Sequence, residues 1–307
     1  MRVLVTGGAG FIGSNVADGL LAAGHDVRVL DDLSTGYAEN VPAAAELIEG
    51  GVADADAVAK AVDGVEMVFH FAAHRAVLRS VEDPLATDQA NTHGTLTVLK
   101  AAVDAGVRRF VSASSSSVYG SDPPMPTPES AVPRPRSPYA VTKLAGEHYC
   151  RVFAELYGLE TMSFRYFNVF GPRQRPDSAY AAVIPLFIEA LRSGDRPTIH
   201  GDGRQSRAFT YIDDVIRANQ AATTAAPESC RGQVYNIAAD ASHSLLELLD
   251  LLGGMLGVAP RPLHGEPRAG DIRNSRADVS AARASLGFEA TVRFEDGLRR
   301  AVDWFRP

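Results

Sequence analysis

Residues 6–13 read Thr-Gly-Gly-Ala-Gly-Phe-Ile-Gly, and they stand where a strand-like run, residues 2–6, gives way to a helical pattern. Glycines at such a turn let the backbone approach a pyrophosphate, and the start of the helix offers unpaired N–H groups and a positive dipole end. Asp31 closes the second strand-like run 18 residues after Gly13, where a carboxylate can accept hydrogen bonds from a ribose hydroxyl. The spacing therefore predicts a dinucleotide-binding unit, although a glycine-rich turn alone is weak evidence.

The hydrophobic pattern predicts an α/β fold around this turn. Short β-branched runs alternate with longer helical patterns through the first 170 residues, which is typical of a Rossmann-type, doubly wound parallel sheet. The expected strands are residues 2–6, 27–30, 46–49, 67–71, 109–112 and 161–164, and the expected helices are residues 12–23, 55–62, 84–105 and 138–157.

A second, smaller lobe is expected after Gly171, where Pro- and Arg-rich loops begin. A helical pattern follows at residues 183–191 and a hairpin-like stretch at residues 198–209, which predicts a mixed α/β substrate lobe. The resulting division is an NAD-binding domain at residues 1–169 and a substrate-binding lobe at residues 170–307. We expect the chain to return to the first domain near residues 209–220 and 234–238, so that the division is discontinuous.

Composition excludes several classes of function. The 307 residues carry 30 Lys and Arg against 37 Asp and Glu, so a net charge of -7 argues against a nucleic-acid partner. Two cysteines are too few for a disulfide scaffold or a four-cysteine zinc site. His70 lies on a strand pattern, where a residue four positions further on, here His74, shares no helical face with it, so we expect no metal site. Without a signal-like leader or a long apolar run, a soluble cytoplasmic protein with no membrane contact is expected.

A candidate catalytic pair follows a helix start. Tyr139 and Lys143 are four residues apart, behind Ser137 as N-cap and Pro138 at the first helical position. A nearby cation favours the phenolate form of a tyrosine, whose unperturbed pKa near 10 makes it a poor base. The serine run at residues 114–117 follows an apolar strand and so brings hydroxyls to the ligand-binding edge of the sheet. Taken singly, these features also fit a solvated helix face and a serine-rich loop.

The acidic end of the second strand bears on the choice of cofactor. Asp31 and Asp32 would repel the 2′-phosphate of NADP, and no Arg or Lys follows them before Lys60. NAD is therefore the expected cofactor.

Together these motifs resemble the extended short-chain dehydrogenase/reductase superfamily, in its NAD-dependent epimerase/dehydratase branch that acts on sugar nucleotides. The resemblance covers most of the chain. It extends to residues 71–75 (Phe-Ala-Ala-His-Arg), Asn91 before His-Gly-Thr, the Ser-Val-Tyr-Gly run at residues 117–120, residues 165–174 (Arg-Tyr-Phe-Asn-Val-Phe-Gly-Pro-Arg-Gln) and Gly201-Asp202-Gly203 running to Arg207.

The resemblance implies roles for individual residues. Tyr139 corresponds to the base, Ser115 to the hydroxyl that bonds the reacting sugar oxygen, and Lys143 to the residue that bonds the nicotinamide ribose and lowers the pKa of the tyrosine. The implied cofactor contacts are Gly7, Gly10, Phe11, Ile12, Gly13, Asp31, Asp32, Leu33, Ser34, Thr35, Gly36, Val52, Phe71, Ala72, Ala73, Arg75, Asn91, Tyr139, Lys143 and Phe167. The implied substrate contacts are Ser115, Asn168, Val183, Arg207, Arg268, Asp271 and Ser275.

Two positions depart from the family pattern. Gly51 stands where the family commonly has an Asp that bonds the adenine amine, and Ala208 replaces an Asp that usually follows the arginine at Arg207. We expect looser adenine binding from the first departure and no effect on the reacting centre from either.

The serine run also separates the branches of the family. Dehydratases resemble Thr-Asp-Glu, and decarboxylating members Thr-Ser-Glu, where this chain has Ser115-Ser116-Ser117. The residues that remain suit a 4-epimerase with UDP-sugar substrates, and a small Ser275 leaves room for a 2-acetamido group. Alternatives are a dTDP-sugar epimerase or ketoreductase, a UDP-glucuronate 4-epimerase or decarboxylase, and, in another class, a catalytically silent NAD-binding sensor. By analogy with the family, a homodimer through the helices at residues 84–105 and 138–157 is expected.

Overall fold

The computed structural model describes residues 1–176, 182–266 and 273–305 of the chain. Within these ranges the strands are β1 Arg2–Thr6, β2 Asp26–Asp31, β3 Glu46–Glu49, β4 Met67–His70, β5 Arg109–Ser115, β6 Glu160–Tyr166, β7 Val169–Phe170, β8 Thr198–His200, β9 Ser206–Arg207, β10 Thr210–Tyr211, β11 Arg231–Ile237, β12 His243–Ser244 and β13 Leu263–Gly265. The α-helices are α1 Phe11–Ala22, α2 Ala55–Val62, α3 Val77–Glu82, α4 Pro84–Asp88, α5 Gly94–Asp104, α6 Pro138–Tyr157, α7 Val183–Arg192, α8 Ile212–Thr224, α9 Leu245–Leu256, α10 Ser280–Leu286 and α11 Phe294–Trp304. Short 3₁₀ turns lie at Ala38–Asn40, Ser116–Tyr119 and Pro227–Cys230.

Seven of these strands form one parallel sheet in the order β11-β6-β5-β4-β1-β2-β3. This topology confirms the Rossmann-type fold that the sequence predicts. The order in which successive strands are added to the sheet reverses at β1, which has β2 on one side and β4 on the other. Ligands of open α/β sheets bind outside the carboxyl ends of the strands at such a reversal.

Both faces of the sheet are buried, which explains the continuous apolar runs of its strands. In β1, Val3 and Val5 belong to the core cluster on the α1 and α8 side, whereas Leu4 belongs to the cluster on the α2 and α5 side. All three side chains are completely buried. The alternation follows from the two-residue period of a strand, which places successive side chains on opposite faces of the sheet.

Helix α6 starts and ends where the sequence predicts. The Ser137 side chain accepts a hydrogen bond of 3.2 Å from the Ala140 N–H, Pro138 occupies the first turn, and Gly158 ends the helix with φ of +70°. Such an N-cap, proline and left-handed glycine are the usual start and stop signals of a helix. The first turns of α6 consequently face the end of β5, beside the cleft.

Two expected elements differ from those of the structure. The helix expected at residues 84–105 contains a π-helical turn at Gln89–His93 between α4 and α5. The hairpin expected at residues 198–209 is wrong, because β8 pairs in parallel with β13 and β9 pairs antiparallel with β12. Both partners come from segments more than 30 residues further along the chain, so no local turn signal could identify them.

Segments late in the chain lie against the first unit of the fold. Strand β11 pairs with β6 as the edge strand of the sheet, and α8 packs on α1. The division into domains itself stays a prediction. Among the described residues, none of the helices combines the length and apolar character needed to cross a membrane.

Candidate active site

A cavity of about 520 Å³ opens at the carboxyl ends of the parallel strands. Its lining includes predicted cofactor contacts from the glycine turn, from the loops after β2 and β4, and from the segment after β3. These are Gly7, Gly10, Phe11, Ile12, Gly13, Asp31, Asp32, Ser34, Thr35, Gly36, Val52, Phe71, Ala72, Ala73 and Arg75. The candidate catalytic residues Ser115, Tyr139 and Lys143 line the same cavity.

The glycine turn packs too closely for side chains. Gly7 has φ of +71°, and a Cβ on it would lie 2.6 Å from the Ala72 nitrogen; a Cβ on Gly13 would collide with the Gly7 carbonyl oxygen. The first intrahelical bond runs from the Ser14 N–H to the Gly10 carbonyl, so the N–H groups that precede it point out of the helix end. This arrangement forms a cradle for a pyrophosphate.

Asp31 is fixed at the end of β2. Its carboxylate accepts hydrogen bonds of 2.9 Å from the Ala9 N–H and 2.9 Å from the Leu33 N–H, and its residue surface is 8% exposed. Burial raises the pKa of this carboxyl above its ordinary value, and the two backbone donors offset part of that rise. The carboxylate thus ties the glycine turn to the loop after β2 and still reaches the cavity.

Ser115, Tyr139 and Lys143 meet at the end of β5. Lys143 Nζ donates a hydrogen bond of 2.8 Å to the Ala113 carbonyl and lies 6.0 Å from the centre of the Tyr139 ring. Burial lowers the pKa of Lys143 to about 8. Burial also raises the pKa of Tyr139, while its interaction with the Ser115 hydroxyl and the charge of Arg75 lower it by less. Desolvation thus dominates the pKa of Tyr139, and the groups that oppose it are Ser115 and Arg75; the role of Lys143 in lowering this pKa stays a prediction.

Three predicted cofactor contacts are not part of the cavity lining. Leu33 contributes its N–H to Asp31. The side-chain oxygen of Asn91 accepts a hydrogen bond of 2.7 Å from the His74 N–H. Its side-chain nitrogen donates to the His74 carbonyl at 3.1 Å and to the Thr142 hydroxyl at 3.0 Å. Phe167 is 2% exposed. Their direct contact with a cofactor stays a prediction, and the structure gives Asn91 the task of holding the loop after β4.

The lining also contains residues to which the sequence assigned no role. Arg173, Gln174 and Arg175 reach the cavity from the loop after β7, and Tyr37 reaches it from the loop after β2. The Arg175 guanidinium lies 4.0 Å from the centre of the Tyr37 ring, and Arg173 forms an ion pair of 2.7 Å with Asp18. Two loops far apart in sequence thus meet over one side of the cavity. The Arg-Gln-Arg run after Gly171-Pro172 is the signal that could have indicated them.

Comparison with known proteins decides the family. The model of the NAD-dependent epimerase/dehydratase family matches residues 3–238. The chain belongs to this family. A UDP-glucose 4-epimerase from Mycolicibacterium smegmatis is 41% identical to it, over 100% of this chain and 99% of the relative.

Solved structures show that the similarity extends to the fold of this chain. A UDP-glucose 4-epimerase from Thermotoga maritima, crystallised with UDP-glucose, is 38% identical with a TM-score of 0.95, over 99% of this chain and 98% of that one. A UDP-N-acetylglucosamine 4-epimerase from Methanobrevibacter ruminantium, in complex with UDP-N-acetylmuramic acid, is 38% identical with a TM-score of 0.93, over 99% and 97% of the two chains. The protein is thus an NAD-dependent enzyme of the nucleotide-sugar epimerase/dehydratase family.

The geometry of the cavity suits NAD. The glycine turn has the close packing and the free helix end that a pyrophosphate needs, and the predicted ribose contacts Asp31 and Lys143 line the same cavity. In residues 1–176, 182–266 and 273–305, no three His, Cys, Asp or Glu side chains are grouped so that they could hold a metal ion.

Of the predicted substrate contacts, some line the cavity and others lie outside it. Asn168 lines the cavity and donates a hydrogen bond of 3.2 Å to the Ala208 carbonyl. Val183 starts α7 and Arg207 lies on β9, where its guanidinium donates to the Ser206 carbonyl at 2.9 Å; both are outside the lining. Arg268 and Asp271 lie outside the described residues.

Ser275 is buried in a segment that is hydrogen-bonded alongside β9. It is 8% exposed, its N–H donates to the Ser206 carbonyl at 3.0 Å, and its carbonyl accepts from the Ala208 N–H at 2.9 Å and the Ser242 hydroxyl at 2.8 Å. The side chain is not part of the cavity lining. Its role as a wall of the sugar site stays a prediction.

Proposed function

We infer that the protein is a nucleotide-sugar 4-epimerase that interconverts UDP-Glc with UDP-Gal and UDP-GlcNAc with UDP-GalNAc through a 4-keto intermediate. The observation that supports this choice within the family is the placement of carboxylates. Among the described residues, Asp31 and Asp32 are the acidic residues that line the cavity. Both lie at the end of β2, which is three strand spacings from β5, or roughly 14 Å from the reacting end.

Elimination of water from a 4-keto sugar requires a further acid and base near the reacting carbons. In this chain Ser116 and Ser117 occupy the positions where such groups are expected, and neither hydroxyl is acidic at neutral pH. The side chains at the reacting end therefore suit removal and return of one proton, as a 4-epimerase requires.

The proposed chemistry uses three residues of this chain. Tyr139 takes the proton of the sugar 4-hydroxyl and later returns it, and Ser115 donates a hydrogen bond to the same oxygen as it becomes a carbonyl. Lys143 has three donors, of which one is held by the Ala113 carbonyl, so two remain for ribose hydroxyls. NAD, which the glycine turn, Asp31 and Lys143 would hold, would supply the hydride acceptor and donor for C4 of the sugar.

The test is a panel of UDP- and dTDP-sugars with the purified protein and added NAD, with products identified by mass spectrometry and NMR. Conversion of UDP-Glc to UDP-Gal, without loss of water or carbon dioxide, supports the proposal. A dehydrated, decarboxylated or dTDP-specific product identifies one of the other family reactions. Binding of NAD without turnover of any sugar nucleotide identifies a silent sensor.

A homodimer is part of the proposal. Helices α3, α4 and α6 pack together and carry large exposed apolar side chains, among them Leu85 at 82% and Leu156 at 73% exposed. The others are Val77, Leu78, Val81, Val141, Val152 and Tyr157. Several large exposed apolar side chains on helices that pack together favour a protein interface there. Sedimentation analysis of wild type and Leu156→Glu tests it, since the variant should shift the protein towards monomer.

A further inference from the structure

Helix α6 faces strand β5 over three successive turns, and hydrogen bonds join the two elements at the second and third of these turns. Tyr139, Lys143 and Glu147 recur every fourth residue and so share one helical face. The first interacts with the Ser115 hydroxyl, and the second donates to the Ala113 carbonyl. The third accepts a hydrogen bond of 2.5 Å from the Ser114 hydroxyl. The proposed chemistry assigns roles to the first two residues and leaves this third contact without one.

The Glu147 carboxylate is buried together with a positive charge. Arg165 donates to its two oxygens from Nε at 2.8 Å and Nη2 at 2.6 Å, and each of the two side chains is 4% exposed. Ser114 and Arg165 are directly paired positions of β5 and β6. A bidentate pair has a fixed geometry, so one carboxylate holds the ends of both strands under α6.

The network continues away from the cavity. Arg165 Nη1 donates to the Glu129 carbonyl at 3.2 Å, and the Glu129 carboxylate accepts from the Asn236 N–H at 2.8 Å. Buried polar groups with satisfied partners rigidify their surroundings. Glu147 itself does not line the cavity, whereas Ser114 does, so the bond to Ser114 connects the carboxylate to the reacting end.

We propose that Glu147 is a positioning residue, which fixes the end of β5 through Ser114 and thereby holds the Ser115 hydroxyl against Tyr139. This rests on the proposed function, because the proton transfer by Tyr139 is the step that the contact would serve. A displacement of about 1 Å in such a group costs up to roughly 100-fold in rate.

The proposal has a consequence for the ionisation of Tyr139. The groups that face it are the Ser115 hydroxyl and the Arg75 charge, both of which lower its pKa, with Lys143 Nζ 6.0 Å from its ring. Loss of the alignment with Ser115 therefore raises the pKa of Tyr139. The pH at which the phenolate forms should then increase.

The decisive variant is Ser114→Ala, because removal of Glu147 would leave the Arg165 charge buried without its partner and could prevent folding. Thr161→Val is the matched control: its buried hydroxyl donates to the Cys150 carbonyl at 2.7 Å and also joins the sheet to α6, but from β6. Both variants lose one buried hydroxyl hydrogen bond between the same layers.

The first readout is the pH dependence of UDP-Glc epimerisation. We expect Ser114→Ala to lose about tenfold in kcat at neutral pH with KM within about twofold, and its rising limb to move to higher pH. Thr161→Val should keep the wild-type profile. An unchanged profile in Ser114→Ala, or equal changes in both variants, would overturn the proposal.

The second readout does not depend on turnover. The ionisation of Tyr139 is followed by tyrosinate absorption, as the difference between each protein and its Tyr139→Phe counterpart. A higher pKa in Ser114→Ala but not in Thr161→Val supports the positioning role, and the same pKa in all three proteins contradicts it. A wild type that converts no sugar nucleotide would refute the proposed function, and the spectroscopic comparison would still decide the role of Glu147.

Discussion

The histidine at the end of β4 should make the stability of the fold depend on pH. His70 is 1% exposed, with Nδ1 2.7 Å from the Thr6 hydroxyl and Nε2 2.9 Å from the Thr95 hydroxyl. The Thr6 hydroxyl in turn accepts from the Ala72 N–H at 3.3 Å, next to the cofactor cradle. Burial lowers the pKa of His70 to about 3, and the charge of Lys143 acts in the same direction.

The direction in which the free energy of unfolding changes with pH follows from proton binding in the folded and unfolded states. Between pH 6.5 and about 3 the unfolded chain binds a proton at this position and the folded chain does not, so the free energy of unfolding falls as the pH falls. The stability that neutral His70 contributes is complete above pH 6.5. At pH 5 the loss amounts to about 2 kcal/mol, from about 1.4 kcal/mol per pH step over the interval from 6.5.

The assay is urea unfolding at pH 7 and pH 5 for wild type, His70→Asn and His264→Asn. Removal of the buried histidine should make the difference between the two pH values about 2 kcal/mol smaller than in wild type, whatever stability the substitution itself costs. Because His264 is exposed, its replacement should leave the wild-type difference in place. Equal pH dependence in wild type and His70→Asn would refute the reasoning.

Four further predictions concern the proposed site. Tyr139→Phe should lose at least about 100-fold in kcat while NAD stays bound, as measured by turnover and released nucleotide; near-normal turnover contradicts its role as base. NAD should bind more tightly than NADP in calorimetric titration, because Asp31 repels a 2′-phosphate, and equal or tighter NADP binding would show that argument to be wrong. Ser275→Tyr should reduce kcat/KM about 5- to 150-fold for UDP-GlcNAc and much less for UDP-Glc, from an overpacking cost of about 1 to 3 kcal/mol, whereas equal losses exclude a gate there. Glu147→Ala should lower the free energy of unfolding by about 3 to 5 kcal/mol in urea titrations, while Glu147→Leu combined with Arg165→Met should come close to wild type; similar losses in both would contradict a buried ion pair as the cause.

The parts of the fold that the sequence predicts correctly depend on neighbours along the chain. The start of α6 follows from Ser137 and Pro138, and the glycine turn follows from residues that lie within one turn of each other. Strands buried on both faces appear as apolar runs, as in β1. In each case the physical cause lies within a few residues, so a single sequence contains it.

The parts that it misses depend on distant partners. No local pattern indicates that the Asn91 amide bonds the His74 backbone and the Thr142 hydroxyl, and its contact with the cofactor stays a prediction. In the sequence, Arg175 is indistinguishable from a solvated surface arginine. In the structure it lies over the ring of Tyr37, more than 130 residues earlier in the chain. A motif identifies the residue, but the contacts that orient its side chain come from other elements.

The same reasoning applies to the groups that surround Tyr139. Spacing places Lys143 one turn away on the helix, which suggests that its charge stabilises the phenolate. The structure directs Lys143 Nζ to the Ala113 carbonyl, and burial lowers the pKa of the lysine itself to about 8, so part of its charge is lost under mildly alkaline conditions. The stabilisation of a phenolate in this chain then falls to the Ser115 hydroxyl and Arg75. Because a hydrogen bond depends more steeply on alignment than a charge interaction does, the rigidity of the end of β5 matters for the reaction, and the buried carboxylate beneath it is the group placed to supply that rigidity.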